Sequence, residues 1–361
     1  MFFNVLIAFF SLIGLLVLHE LGHFIAAKKC GVKVEEFGIG YPPRIVGKKF
    51  GETIYSLNII PFGAFVKIHG EEGDVEDYRS FIGRPMYQRI LIVLGGVISF
   101  WVISAILLSV LFSLGIPTPV TDKATNVVRP KVQVAEIAKG SPAEQAGLEP
   151  LDIIREIRYQ DEYLRTDKVK EMVGFIDEYK GKKITLTIQR WEETFEVSLV
   201  PRSSPPAGEG AVGVALTRTA LVPFPWYEAP FRGIVATGNI TWTALQGIAG
   251  MFGNVIQEGE LPPGASLMGP LGIFDFLKHA WQLGLNYFLY FVALISIFLA
   301  IFNLLPIPAL DGGKLLFLII EAVRGKPVAQ KVEQNITAFF FILLITMMIF
   351  VTIKFDIPRV F

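Results

Sequence analysis

Long uncharged apolar runs recur along the chain and divide it into four candidate membrane spans. Residues 2–18 carry no charge, and the first apolar run continues to about Ala27. Ile90–Leu114 is a second uncharged stretch, Tyr287–Leu305 a third, and Ala338–Ile353 the fourth and shortest. A bilayer core takes about 20 apolar residues per helix. The pattern therefore predicts a polytopic α-helical membrane protein with about four transmembrane helices. The first run lacks a positive start and a small-x-small cleavage site, and it outlasts a signal-peptide core, so it is expected to stay in the mature chain.

Between the first two spans the period changes. Val32, Val34 and Phe37 alternate with charged residues, and Thr53–Ile60 and Ala64–Ile68 are β-prone stretches punctuated by glycine and proline. Two readings of this membrane-associated β-hairpin or sheet stay open. It lies at the membrane surface, or it dips into the bilayer where protein or a water cavity covers its backbone. Lys131–Val200 has the alternation of a compact α+β domain, with strands at Val132–Ala138, Ile153–Ile157, Ile184–Arg190 and Thr194–Leu199 and helices at Ser141–Ala146 and about Thr166–Tyr179. Pro201–Gly210 is a linker, and Pro230–Ile256 is expected to be helical, with Trp242 and Phe252 placed for a membrane interface. Leu267–Ile273, with Gly269, Pro270 and Gly272, reads as a loop.

The organisation expected is a first transmembrane helix (1–30), a membrane-associated β region and loop (31–85) and a second transmembrane helix (86–115). An inserted α+β domain (116–202), a linker with interfacial amphipathic helices (203–286), a third transmembrane segment (287–313) and a helix followed by the fourth span (314–361) complete it.

Composition agrees with a membrane protein: 52% of residues are hydrophobic and only 18% charged, which excludes a disordered chain and argues against a purely soluble enzyme. Lys+Arg and Asp+Glu balance at 33 each, so nothing favours nucleic acid as a partner. The single cysteine, Cys30, excludes an internal disulfide framework and a zinc site built from several cysteines. Basic residues cluster after the first span (Lys28, Lys29, Lys33, Arg44, Lys48, Lys49, Lys67) and after the third (Lys314, Arg324, Lys326, Lys331). Those loops are expected to be cytoplasmic, with both termini and the 115–286 segment outside a cell membrane crossed several times.

Four histidines occur, and two of them stand in His19-Glu20-Leu21-Gly22-His23 inside the first predicted helix. Residues i and i+4 share a helix face, so both imidazoles can bind one metal ion while Glu20 reaches a water as general base. Ionisable groups inside a span are costly without a partner or a water-filled cavity. Catalytic zinc takes three protein ligands and keeps one position open. His69 sits in a charged loop and is expected to be solvated, and His279 lies on the opposite side. Asp311, in Asn303-Leu304-Leu305-Pro306-Ile307-Pro308-Ala309-Leu310-Asp311-Gly312-Gly313, falls on the same membrane face as the histidines and is the better third ligand. Its competing role is a helix N-cap. Asn303 has two readings: its amide bonds a bound peptide or developing negative charge, or it caps backbone freed where the helix breaks.

H-E-L-G-H in the first span and N-x-x-P-x-P-x-L-D-G in the third resemble the site-2 proteases, intramembrane zinc metalloproteases. The soluble insert makes the chain similar to the RseP-like bacterial branch. Within the insert, Gly140-Ser141-Pro142-Ala143-Glu144-Gln145-Ala146-Gly147-Leu148 resembles the turn-and-helix signature of a PDZ domain, here in one copy. The resemblance implies Zn²⁺ on His19, His23 and Asp311, Glu20 as catalytic acid/base, substrate contact at Asn303 and a membrane-reentrant β element within about residues 31–70. Met268-Gly269-Pro270-Leu271-Gly272-Ile273 is similar to the family's S-G-P-x-G-I element. Where the family has G-P-x-x-N in its second span, this chain reads Gly95-Gly96-Val97-Ile98-Ser99, and the usual Gly-Asp pair of the PDZ domain is Leu151-Asp152.

The reaction implied is hydrolysis of a peptide bond within, or at the edge of, the transmembrane segment of a single-pass protein already shortened by another protease. Anti-sigma factors and remnant signal peptides are the substrate types that the resemblance suggests. The PDZ-like domain would either exclude bulky ectodomains or capture a peptide C-terminus. A metal transporter would need polar residues along several spans, yet spans two and four lack ionisable groups. An inactive scaffold would have lost the metal chemistry that is present here.

Overall fold

A computed structural model describes residues 2–71, 77–125, 127–191, 193–206, 208–258 and 268–360. In chain order these form α1 (Phe2–Lys29), β1 (Val34–Phe50), β2 (Thr53–Ile68), α2 (Met86–Leu114), β3 (Ile116–Pro119), β4 (Val128–Ile137) and α3 (Pro142–Gln145). There follow β5 (Ile153–Tyr159), β6 (Glu162–Leu164), α4 (Val169–Glu178), β7 (Ile184–Arg190), β8 (Glu193–Leu199) and β9 (Val214–Val222). The chain ends with α5 (Ala229–Glu258), α6 (Pro270–Gln282), α7 (Leu285–Leu304), α8 (Asp311–Arg324) and α9 (Gln330–Val351), the last running into a π-turn at Thr352–Asp356.

Among the described residues, four helices are long and apolar enough to cross a bilayer: Phe3–Lys29, Met86–Leu114, Leu285–Leu304 and Gln330–Asp356. The protein is a polytopic helical membrane protein with a β region and an inserted strand-rich domain. The fourth helix starts at Gln330 rather than Ala338, because a helix can begin outside the apolar layer and carry Lys331 and Glu333 in its first turn. The chain falls into two compact units, one of residues 1–109, 230–278 and 289–361 and one of 110–229 and 279–288.

In the first unit α1 and α2 approach through glycine. A methyl group placed on Gly22 would lie 2.3 Å from the carbonyl oxygen of Gly95, so only bare backbone fits at this crossing. Ser296 of α7 donates to the Phe100 carbonyl of α2 at 2.7 Å. The ends of α1 and α2, the hairpin base and α8 share a core of Ala27, Val32, Val34, Ile68, Ile92, Val93 and Leu318.

The hairpin is more folded than two simple strands. Glu36–Ile39 is paired on one edge with Ala64–Lys67 and on the other with Ile54–Leu57, while Arg44–Phe50 turns back onto Thr53–Asn58. Four short segments thus make one sheet with Ala64–Lys67 along an outer edge. Its far end exposes Ile45, Val46, Ile59 and Phe62.

A further sequence expectation is corrected in this unit. The run expected to be a loop at Leu267–Ile273 enters α6 at Pro270, where a proline is tolerated because the first helical N–H has no intrahelical partner. Its glycines receive the buried Asp356, which accepts the Gly269 N–H at 2.9 Å. Leu267 itself and the side chain of Phe252 lie outside the described residues. Trp242 is exposed.

The second unit is an antiparallel sheet of order β3-β9-β4-β5-β7-β8, with β6 paired to β5. Alternate residues of its strands (Val132, Val134, Ile154, Ile184, Leu186, Ile188) meet Met172 and Ile176 of α4 in one core. Ser141 caps α3, accepting the Glu144 N–H at 3.2 Å ahead of Pro142. The helix expected from Thr166 begins at Val169 instead. Asp122 accepts the Val169 and Lys170 N–H groups at 3.0 and 2.8 Å, which satisfies the open helix end from another part of the chain.

Candidate metal centre

The last turns of α1 present His19 and His23 on one face, both buried. Pro306 and Pro308 break the chain after α7, so it turns before α8 begins at Asp311. Gly312 and Gly313 permit that turn, since a methyl on either would lie 2.1–2.3 Å from the Leu305 or Ile307 carbonyl oxygen. Leu310 takes the N-cap position of α8. Asp311 is therefore not the cap, and its carboxylate turns to the histidines.

The three side chains meet. His19 Nε2 and His23 Nε2 are each 3.3 Å from Asp311 Oδ2, and 3.3 Å from one another. Tetrahedral zinc with bonds of about 2.0–2.1 Å holds its ligand atoms roughly 3.3–3.4 Å apart, so this triangle fits such an ion and leaves a fourth position open. The donor set, two imidazoles and a carboxylate, suits zinc. The Nδ1–H of His23 donates to the Ile92 carbonyl at 2.9 Å, which leaves the Nε2 lone pair for the cluster. Asp311 Oδ2, buried and without a hydrogen-bond donor among the described residues, has the environment a cation would satisfy.

Gly96 was not singled out from sequence, yet it faces both rings. A methyl there would sit 2.1 Å from His23 Nε2 and 2.6 Å from His19 Cε1. On the other side His19 stacks on Phe100 with ring centroids 4.6 Å apart. Ser99 donates to the Gly96 carbonyl of its own helix at 2.6 Å.

Glu20 shares a cavity of about 200 Å³ with His23 and Asp311. Tyr41 and the hairpin edge Ala64–Val66 line the same cavity, together with Ile92 and Val93. Glu71 and Lys314 also line it, joined by an ion pair. Burial pushes the Lys314 ammonium down, but the charges of Glu71, Asp311 and Glu20 outweigh this and hold it above its usual range.

The remaining candidates stand elsewhere. Asn303 donates to the Leu299 carbonyl one turn back at 2.9 Å. His69 is half-buried rather than solvated and bonds Glu35 at 2.8 Å, and that bond, with help from Lys67, holds the Glu35 carboxyl below its usual range. His279 packs on Trp191 in the second unit, with centroids 4.9 Å apart. Neither histidine belongs to the cluster.

A model of peptidase family M50 matches residues 7–347. The chain belongs to this family. It is a membrane metalloprotease of the site-2 type, as the two motifs implied. A Clostridium perfringens protein that carries a provisional zinc-metalloprotease name is 33% identical over 358 residues, covering 97% of each chain. The "Regulator of sigma-W protease RasP" of Bacillus subtilis is 26% identical over 448 residues, spanning 100% of both. The PDZ domain of an SdrC-like protein from Listeria monocytogenes aligns with 26% of this chain and 92% of its own, at 19% identity and a TM-score of 0.21.

Proposed function

We propose that the protease hydrolyses a peptide bond within, or at the edge of, the transmembrane segment of a membrane protein already shortened by another protease. His19, His23 and Asp311 hold Zn²⁺, and Glu20 is the acid/base. The observation that carries this is the triangle of three donor atoms 3.3 Å apart, with a fourth side open and Glu20 in the same cavity.

Bound there, zinc supplies Lewis acidity that acidifies a water and polarises the scissile carbonyl. The Glu20 carboxylate takes the water's proton and delivers it to the departing amide nitrogen. Asp311 and His23 are held before substrate arrives, by the break after α7 and by the Ile92 carbonyl, and His19 lies against the Phe100 ring. A helical substrate hides its carbonyls in its own hydrogen bonds, so it must unwind locally. The Ala64–Lys67 edge borders the cavity and offers an unwound peptide a strand to pair with. The exposed apolar end of the hairpin suits contact with lipid.

The loops rich in lysine and arginine support a cytoplasmic position for the metal end of α1 and an extracytoplasmic position for the termini and the inserted domain. Anti-sigma factors fit as substrates, since a full-length relative is named for sigma-W regulation. Remnant signal peptides share the needed chemistry. For the PDZ-like domain, filtering of bulky ectodomains and capture of a peptide C-terminus are both supported: β3 occupies the edge of β9 over Thr219–Val222 only.

The test is cleavage of a model transmembrane substrate by wild type and Glu20→Gln, with zinc measured in both. The variant should keep its metal and lose about 10²–10⁴-fold in rate, the range for a missing general base. Equal cleavage would remove Glu20 from the mechanism.

A further inference from the structure

Hydrolysis consumes a water at each turnover and releases two peptide ends, so the cavity of about 200 Å³ beside Glu20 and Asp311 needs a route for both. A second cavity of about 710 Å³ lies beside it, lined by Arg89, Phe317, Glu321, Pro327, Val328 and Glu333. Glu71 and Lys314 are common to both linings. Their ion pair joins the segment after β2 to the first turn of α8, three residues beyond Asp311.

We infer that the Lys314–Glu71 pair is a movable closure between the catalytic cavity and this vestibule, through which water enters and cleaved peptide leaves. This rests on the protease reading only for what passes through; the closure itself is a statement about access.

The two ion pairs of the vestibule differ in the way this role requires. Arg89 holds Glu321 with two bonds, at 2.7 and 3.0 Å, and both side chains are largely covered. A bidentate guanidinium pair of that kind is fixed in direction and ties α2 to α8. Lys314 is 48% exposed, against 17% for Glu71, and its charge is a point at the end of a flexible stem. Rotation about that stem can part and re-form the pair without unfolding anything around it. A permanent wall at this position would be built from apolar side chains, like Ile92 and Val93 on the opposite side of the cavity.

The closure is tested by reagent access in the full chain reconstituted in vesicles. Cys30, the lone cysteine, is replaced by alanine, and Ala64→Cys places a thiol on the catalytic cavity. The rate of its modification by a small, water-soluble, membrane-impermeant methanethiosulfonate is then followed. Lys314→Met and Glu71→Gln should each speed modification about tenfold, the factor that corresponds to roughly 1.4 kcal/mol at 25 °C. Lys314→Arg, which keeps the positive charge opposite Glu71, should keep the slow rate. Val328→Trp, which fills the vestibule, should slow modification further. Neutralising variants that modify at the wild-type rate, a Lys314→Arg protein that modifies as fast as Lys314→Met, or a filled vestibule that changes nothing would each overturn the inference. Monodisperse elution of every variant excludes misfolding, and modification requires neither zinc nor cleavage, so the outcome is separate from that of the Glu20→Gln experiment.

Discussion

Gly96→Ala, the smallest change available at the centre, should strip the metal. The added methyl would lie 2.1 Å from His23 Nε2, 2.5 Å from His23 Cε1 and 2.6 Å from His19 Cε1. Carbon–nitrogen contact needs roughly 3.5 Å, so one or both rings must retreat by about an ångström. His23 is tethered through Nδ1 to the Ile92 carbonyl and His19 lies against Phe100, so neither ring can move outward without losing that partner. A metal site tolerates deviations of only about 0.2 Å in its ligand distances. Perturbing the groups that orient metal ligands typically lowers affinity 10- to 100-fold, or about 1.4–2.7 kcal/mol. The assay is zinc content per chain after dialysis against a graded chelator, with Glu20→Gln as a control that should hold its metal. A Gly96→Ala protein that keeps wild-type zinc and wild-type cleavage would show that the rings do not form the metal centre.

Other outcomes follow from the same coordinates. Asp311→Asn should lower zinc affinity by a similar factor, read in the same chelator titration; unchanged retention would remove Asp311 from the ligand set. Proline at Phe65 or Val66 should impair cleavage while zinc content stays at one level, and undiminished cleavage would defeat strand pairing along that edge. Asp356→Ala breaks a buried bond to Gly269, so it should cost about 1–3 kcal/mol, seen as a lower thermal midpoint, whereas Asp356→Asn keeps an acceptor and should cost less. Lys131 is half-buried, and that burial, with Arg155 near it, pulls its ammonium down to about 8 from 10.5. The unfolded chain binds the extra proton between those values, so stability should rise as pH climbs from about 8 to about 10.5. Lys131→Met should flatten that rise in a pH series of melting curves; a series that keeps its slope would place the titration elsewhere.

Much of this was legible in the sequence because it lies in local patterns. The four spans appear as uncharged runs, and the strands of the inserted domain as alternation ended by glycine and proline. His19 and His23 declare themselves by spacing, and Asp311 by a proline-broken motif. What escaped depends on contacts between distant segments. Gly269 and Gly272 look like breakers, but they make room for Asp356 from the far end of the chain, and Pro270 at a helix start was the available signal. α4 starts late because Asp122, far upstream, supplies its cap. Gly96 showed only as a departure from a family motif, and its reason, two imidazole rings against its Cα, needs α1 and α2 in place. The Lys314–Glu71 pair joins residues with no pattern in common.

The crossing of α1 and α2 at Gly22 and Gly95 has a mechanical consequence. Backbone lies on backbone there, with no interdigitated side chain that a rotamer change might withdraw. Ser296 fastens α7 to the Phe100 carbonyl of the same second helix. Nothing can wedge between these partners without pulling them bodily apart, so on this side the three helices move as one body.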